Sequence, residues 1–131
     1  MRRVLAVLVL AAAAAAGCGE GPTAGDLSVQ FSTTLAQYRA VLFRVVGKQH
    51  GVSLGTGSSY RILSDTSATG DTAWIAVIAP QGTTLANGEL ARIKVPDTRQ
   101  VQSYEVSLTD AAAANYSVGA FPGISLTIVK P

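Results

Sequence analysis

The run Arg39-Ala40-Val41-Leu42-Phe43-Arg44-Val45-Val46 decides how this chain folds. In an extended backbone, side chains two apart point the same way. Val41, Phe43 and Val45 therefore share one face, and Ala40, Leu42, Arg44 and Val46 share the other. Apolar residues on both faces predict an interior strand with something packed against each side.

The same period runs outward from this segment. Leu27, Val29 and Phe31 alternate with Ser28, Gln30 and Ser32, which predicts a half-buried strand. Tyr60-Arg61-Ile62-Leu63 follows the glycine-rich residues 51–59 as another strand, and residues 72–79 (Thr-Ala-Trp-Ile-Ala-Val-Ile-Ala) give the strongest strand signal, stopped by Pro80. Residues 89–95 place Ala91, Ile93 and Val95 inward, opposite Leu90, Arg92 and Lys94. Residues 101–109 alternate with Tyr104, Val106 and Leu108 on one side, Tyr116-Ser117-Val118 is a short candidate, and Ile124, Leu126 and Ile128 close the series. Turn chemistry separates these runs: residues 64–71, 80–82, Asn87-Gly88 and Pro122-Gly123. Asp110 followed by four alanines is the single helical hint, a capped turn too short to stand alone. Eight or nine short strands without a long helix predict an all-β fold, a two-sheet antiparallel sandwich.

The N-terminus reads differently. Met1-Arg2-Arg3 precedes an apolar run from Val4 that passes through six alanines to Gly17. A basic start, an apolar middle and small residues before a cut describe a secretory signal. The 14 residues from Val4 to Gly17 fall short of the ~20 that a membrane-spanning helix needs. Ala15-Ala16-Gly17-Cys18 resembles a bacterial lipobox. The resemblance implies cleavage before Cys18, a diacylglycerol on its thiol and an acyl chain, such as palmitate, on its freed amine. Cys18 is the only cysteine, so no disulfide forms within the chain, and lipidation would remove a lone thiol from an oxidising compartment. Each buried acyl CH₂ contributes about 0.8 kcal/mol, enough in sum for firm anchoring. Residue 19 is Gly rather than the Asp that resembles an inner-membrane retention signal, which favours the outer membrane.

Three segments follow: a signal over 1–17, a lipidated cysteine with a glycine-rich tether over 18–25, and a β-sandwich over 26–131. Of the 131 residues, 114 remain after the cut. Arg2 and Arg3 leave with the signal, so eight basic residues face eight acidic ones and the mature chain is formally neutral. That balance gives no basic surface for nucleic acid.

From Arg39 onward the order of elements resembles cohesin-like domains, the β-sandwich modules of bacterial scaffolding proteins. The resemblance rests on Ala40-Val41-Leu42-Phe43-Arg44-Val45, on Gly88-Glu89-Leu90-Ala91-Arg92-Ile93-Lys94-Val95, and on a hairpin tip at residues 64–71 before the strand holding Trp74. It covers about two-thirds of the mature chain. It implies a jelly-roll sandwich that binds a partner through one sheet face, and it carries over no binding residue.

Catalytic groups are sparse. His50, the only histidine, sits in Gly47-Lys48-Gln49-His50-Gly51, a turn between strands, and reads as an exposed loop residue rather than a triad member. No Gly-x-Ser-x-Gly elbow is present. Asp65, Asp71, Glu89, Asp97, Glu105 and Asp110 lie in turns or alternate outward, as solvating groups do, and none pairs off as glycosidase carboxylates would. One histidine and one lipidated cysteine offer zinc no cluster, and residues 65–71 lack EF-hand spacing, so they read as a hairpin turn. Glycines 47, 51, 55 and 57 lack the strand-to-helix setting of a phosphate loop.

Aromatic side chains offer one other chemistry, sugar platforms. Trp74, flanked by apolar residues, reads as core; Tyr60, Tyr104 and Tyr116, in phase with aliphatics, read as core or rim, whereas Tyr38 is freer. The expectation is a non-enzymatic, lipid-anchored module without metal or cofactor, held to a membrane through Cys18, that binds a protein partner in the cell envelope. The alternative is a carbohydrate or cell-wall binder using surface aromatics.

Overall fold

The computed structural model describes residues 23–55, 57–113 and 123–131. The expected signal over residues 1–17, Cys18 and the Tyr116-Ser117-Val118 strand candidate lie outside them. Eight strands fill the described residues: β1 (Gly25–Thr33), β2 (Tyr38–Val46), β3 (Gly51–Leu54), β4 (Arg61–Thr66), β5 (Thr72–Ile78), β6 (Gly88–Val95), β7 (Glu105–Ala113) and β8 (Ile124–Val129). They form two antiparallel four-stranded sheets, ordered β3-β6-β1-β8 and β4-β5-β2-β7. Each strand lies beside the one whose number completes nine, which is the pairing of a long ribbon wound into a jelly roll.

The core lies between the sheets. Leu27, Val29 and Phe31 of β1 meet Val41, Phe43 and Val45 of β2 and Ala73, Ile75 and Val77 of β5, all buried. Burying such apolar area contributes roughly 25 cal/mol per Å² and drives the two sheets together.

Three bulges adjust the alternation, and in the first Arg39 is an extra residue of β2, between Tyr38 facing Ala113 and Ala40 facing Ala112, so that Tyr38 and Val41 both turn inward. Val29 pairs with Ala91 and Gln30 with Glu89, so Leu90 is an extra residue in β6. Leu90 and Ala91 are consequently both buried, although simple alternation sets Leu90 outward. In β7, Leu42 faces Asp110 but Phe43 faces Leu108, which makes Thr109 the extra residue. That step lets Val106, Leu108 and Ala111 all face the core while Asp110 turns out.

Four local expectations are corrected. β2 is a central strand, between β5 and β7, but only its Val41-Phe43-Val45 face is packed; Arg44 and Val46 are exposed and Leu42 is half-buried. Asp110 and the following alanines form the end of β7 rather than a helical turn, because pairing with β2 outweighs alanine's helix propensity. Residues 101–103 belong to a 3-10 segment (Thr98–Ser103), started by Asp97, whose side chain accepts from the Arg99 N–H, and β7 begins only at Glu105. Gly51–Leu54, inside the glycine-rich stretch, is an edge strand.

The strands run between two ends of the sandwich. At one end lie residues 23–25, the 47–50 and 67–71 connections, the 96–104 segment and residues 130–131. The other end holds the 34–37, 55–60 and 79–87 connections and Gly123.

Candidate functional site

The outer faces of the two sheets differ in chemistry. On the β3-β6-β1-β8 sheet, β1 turns out Asp26, Ser28, Gln30 and Ser32, facing Ser125 and Thr127 of β8 on one side and Glu89, Arg92 and Lys94 of β6 on the other. These groups hydrogen-bond one another. Ser28 is fully buried under them: its Oγ donates to Glu89 Oε2 at 2.6 Å and accepts from Gln30 Nε2 at 2.6 Å. Arg92 Nε donates to Glu89 Oε1 at 2.8 Å, and its guanidinium lies 4.0 Å from Asp26. The Glu89 hydrogen bond, with its charge, holds Arg92 still more firmly protonated than a free arginine. Val129, 40% exposed, lies opposite Ser28 on the same face.

The outer face of the β4-β5-β2-β7 sheet is apolar at its centre. Strand register sets its residues in rows across the sheet: Leu63, Ala76, Leu42 and Asp110 in one, Asp65, Trp74, Arg44 and Ser107 in the next. Arg61, Ile78, Ala40 and Ala112 flank them toward one end, and Val46 with Glu105 toward the other. Shallow depressions lie on both sides of Leu42, one lined by Ala40, Ala76, Ile78 and Asp110, the other by Leu63, Asp65 and Trp74. Leu63 is 50% exposed, Trp74 42% and Val46 37%.

Eight apolar positions at a strand spacing of ~4.8 Å and a same-face spacing of ~6.6 Å cover roughly 250 Å². Charged residues rim this patch: Arg61, Asp65, Arg44, Glu105 and Asp110. An apolar centre with a charged rim is the anatomy of a protein-binding surface.

Trp74 is therefore a surface residue, against its expected place in the core. The reason is phase. Ala73, Ile75 and Val77 point inward, so Trp74, Ala76 and Ile78 must point out, and a strand apolar on both faces does not reveal which face is covered. Tyr38, expected to be freer, is 3% exposed and packed in the core. Tyr104 is buried, and Tyr60 is half-buried with its hydroxyl accepting from the Ala86 N–H at 2.9 Å.

The other residues weighed in the sequence do not converge. His50 is exposed on the 47–50 connection, where its N–H donates to Lys94 O at 2.8 Å. Asp65 lies on β4 beside Trp74, while Asp71 closes a hairpin in which Ser67 Oγ accepts from the Asp71 and Thr72 N–H groups. Among the described residues, no three His, Cys, Asp or Glu side chains gather where they could hold a metal ion. Nor is any described helix long and apolar enough to cross a membrane.

Sequence reasoning singled out neither Leu63 nor the outer face of β2. Arg44 was the available signal: an unpaired guanidinium is costly to bury, so the face it shares with Ala40, Leu42 and Val46 meets solvent. No protein-family model, no curated protein and no solved structure matches this chain.

Proposed function

We propose that this chain is a lipid-anchored, non-enzymatic envelope protein whose sandwich binds a protein partner through the outer face of the β4-β5-β2-β7 sheet. The observation that carries this reading is the contrast between the two outer faces. One carries a polar network centred on Ser28, with Val129 exposed beside it, and the other exposes Leu63, Trp74 and Val46 together around Leu42. The patch is of a size that a monomer exposes unaided, so its composition carries the reading: tryptophan with a neighbouring arginine is typical of the few residues that dominate protein binding.

Lipid on Cys18 supplies the address, with the outer membrane favoured by Gly19. The cohesin-like sequence order is consistent with recognition through one sheet face. At roughly 250 Å² the apolar patch is well below the ~800 Å² per partner of a standard stable interface, so the contact is transient or extends over the charged rim.

A second reading, a carbohydrate or cell-wall platform, is favoured by the exposed Trp74 ring. Asp65 and Arg44, on either side of the ring in register, could bond a sugar's hydroxyls. Leu42, Leu63 and Ala76, which border the ring's depression, could not, and they favour the protein partner.

Capture from detergent-solubilised envelope by the lipidated protein tests the assignment. A saturable protein partner should be retained by the wild type and by Thr127→Asp on the polar face, and lost with Trp74→Ser or Leu63→Ser at unchanged circular dichroism. Equal recovery by all four proteins, or no saturable protein, would overturn it. A shift of tryptophan emission on adding wall polysaccharide would favour the sugar instead.

A further inference from the structure

The attachment point of the tether fixes which end of the sandwich meets the membrane. Thr23 is already part of the folded unit: its N–H donates to Asp97 Oδ1 at 3.3 Å, and its carbonyl accepts from the Thr98 N–H at 2.8 Å. Two residues later Gly25 enters β1 opposite Val95. The tether expected over residues 18–25 is thus shortened by the fold, and only five Cα steps separate Cys18 from Thr23. At full extension they span about 17 Å.

We propose that the end of the sandwich carrying residues 23–25, the 47–50 connection and the 3-10 segment lies against the lipid surface, with the strands standing up from it. This rests on the lipid anchor at Cys18 read above. A nine-residue strand such as β1 or β2 is about 30 Å long, so the opposite end, with its 34–37, 55–60 and 79–87 connections, stands about that much farther out. Lying flat would press one outer face onto the headgroups. Arg92 and Lys94 balance Asp26 and Glu89 on one such face, and Arg44 and Arg61 fall one charge short of Asp65, Glu105 and Asp110 on the other, so neither has a net positive charge to gain from an anionic leaflet.

The upright stance turns the apolar face sideways. Leu42 lies four residues from the membrane-facing end of β2, about 13 Å along the strand, so the patch centre stays within about 30 Å of the lipid. A partner reaches it along the membrane plane and must itself extend into that shallow layer.

The lipidated protein in vesicles of phosphatidylethanolamine and phosphatidylglycerol tests this. A fluorophore is placed on Gln102→Cys, in the 3-10 segment, or on Gln81→Cys, in the opposite end; both positions are exposed. Headgroup nitroxide lipids should quench the probe at 102 several-fold more than the probe at 81. A Gly/Ser insertion before Pro22 should shrink that difference. Equal quenching at the two positions, or stronger quenching at 81, would overturn the orientation while leaving the anchor intact. Vesicle flotation reads the anchor separately: protein that fails to float, or that floats equally well as Cys18→Ser, removes both the anchor and the orientation built on it.

Discussion

The ring of Tyr104 fills the space that a β-carbon on Gly47 would need. An ideal Cβ there would lie 2.2 Å from Tyr104 Cδ1 and 2.5 Å from Cε1, and Gly47 holds φ at +139°. The Tyr104 hydroxyl then donates to the carbonyl of Lys48, locking the 47–50 connection against the start of β7. Gly47→Ala meets both a clash and a backbone conformation that L side chains rarely adopt. It should lower stability by about 2–4 kcal/mol, read as a fall in urea midpoint at unchanged slope. A midpoint equal to wild type would show that the contact yields without cost.

Tyr104 also ties stability to high pH. Burial raises its phenol above the usual value, with the Asp97 charge adding to the effect. Because the fold favours the protonated form, this contribution is complete below the unfolded value near 10 and is lost as pH rises through the folded one. Tyr104→Phe should flatten the stability profile above about pH 10. An alkaline limb identical in both proteins would rule the residue out as its source.

Asp97 acts at the other extreme. Hydrogen bonding to the Arg99 side chain and then to its backbone N–H, with a smaller contribution from Thr23, lowers its carboxyl to about 2. The fold favours the ionised form, so the contribution is present above the unfolded value near 4 and disappears as pH falls toward 2. Asp97→Asn, which keeps an accepting oxygen, should lose the part of the acid transition that lies in this window, and Asp97→Ala should in addition free the Thr23 N–H for faster amide exchange. Unchanged acid unfolding would contradict it.

Trp74 should behave as a surface residue in the free protein. Its emission should be accessible to acrylamide, and Trp74→Ser should cost less than about 1 kcal/mol, as surface substitutions do. A blue, unquenchable emission would place the ring in the core.

Deleting Thr109 should be tolerated. It is the extra residue of the bulge, and without it Leu108, Asp110 and Ala111 still face Phe43, Leu42 and Val41 in unbroken register. Asp110 stays outward and Ala111 inward, so the deletion variant should unfold cooperatively in urea, as Thr109→Ser should. Loss of cooperative unfolding would show that the local twist of the bulge is needed to seat β7 on β2.

These contacts separate what was legible in the sequence from what was not. Strict alternation in β1 and β8, and the turn residues at Asn87-Gly88 and 80–82, located the strands and made the sandwich readable. The 3-10 segment was hidden because Val101, Ser103 and Tyr104 also fit a strand's alternation, and only the Asp97 cap distinguishes them. β3 was hidden because its four residues, Gly-Val-Ser-Leu, gain strand character only by pairing with β6. The candidate site was half legible: every apolar residue of the patch except Ala112 sat on an identified strand, but β2 and β5 are apolar on both faces.

By itself, then, the sequence determined an all-β sandwich, because side-chain direction along a strand follows from backbone geometry alone. Tertiary structure decided which face of β2 and β5 is covered, where Leu90 and Thr109 interrupt the alternation, and that Trp74 meets solvent. Each of those depends on which strand lies alongside and which sheet lies opposite, and such long-range pairing leaves no local signal in the chain.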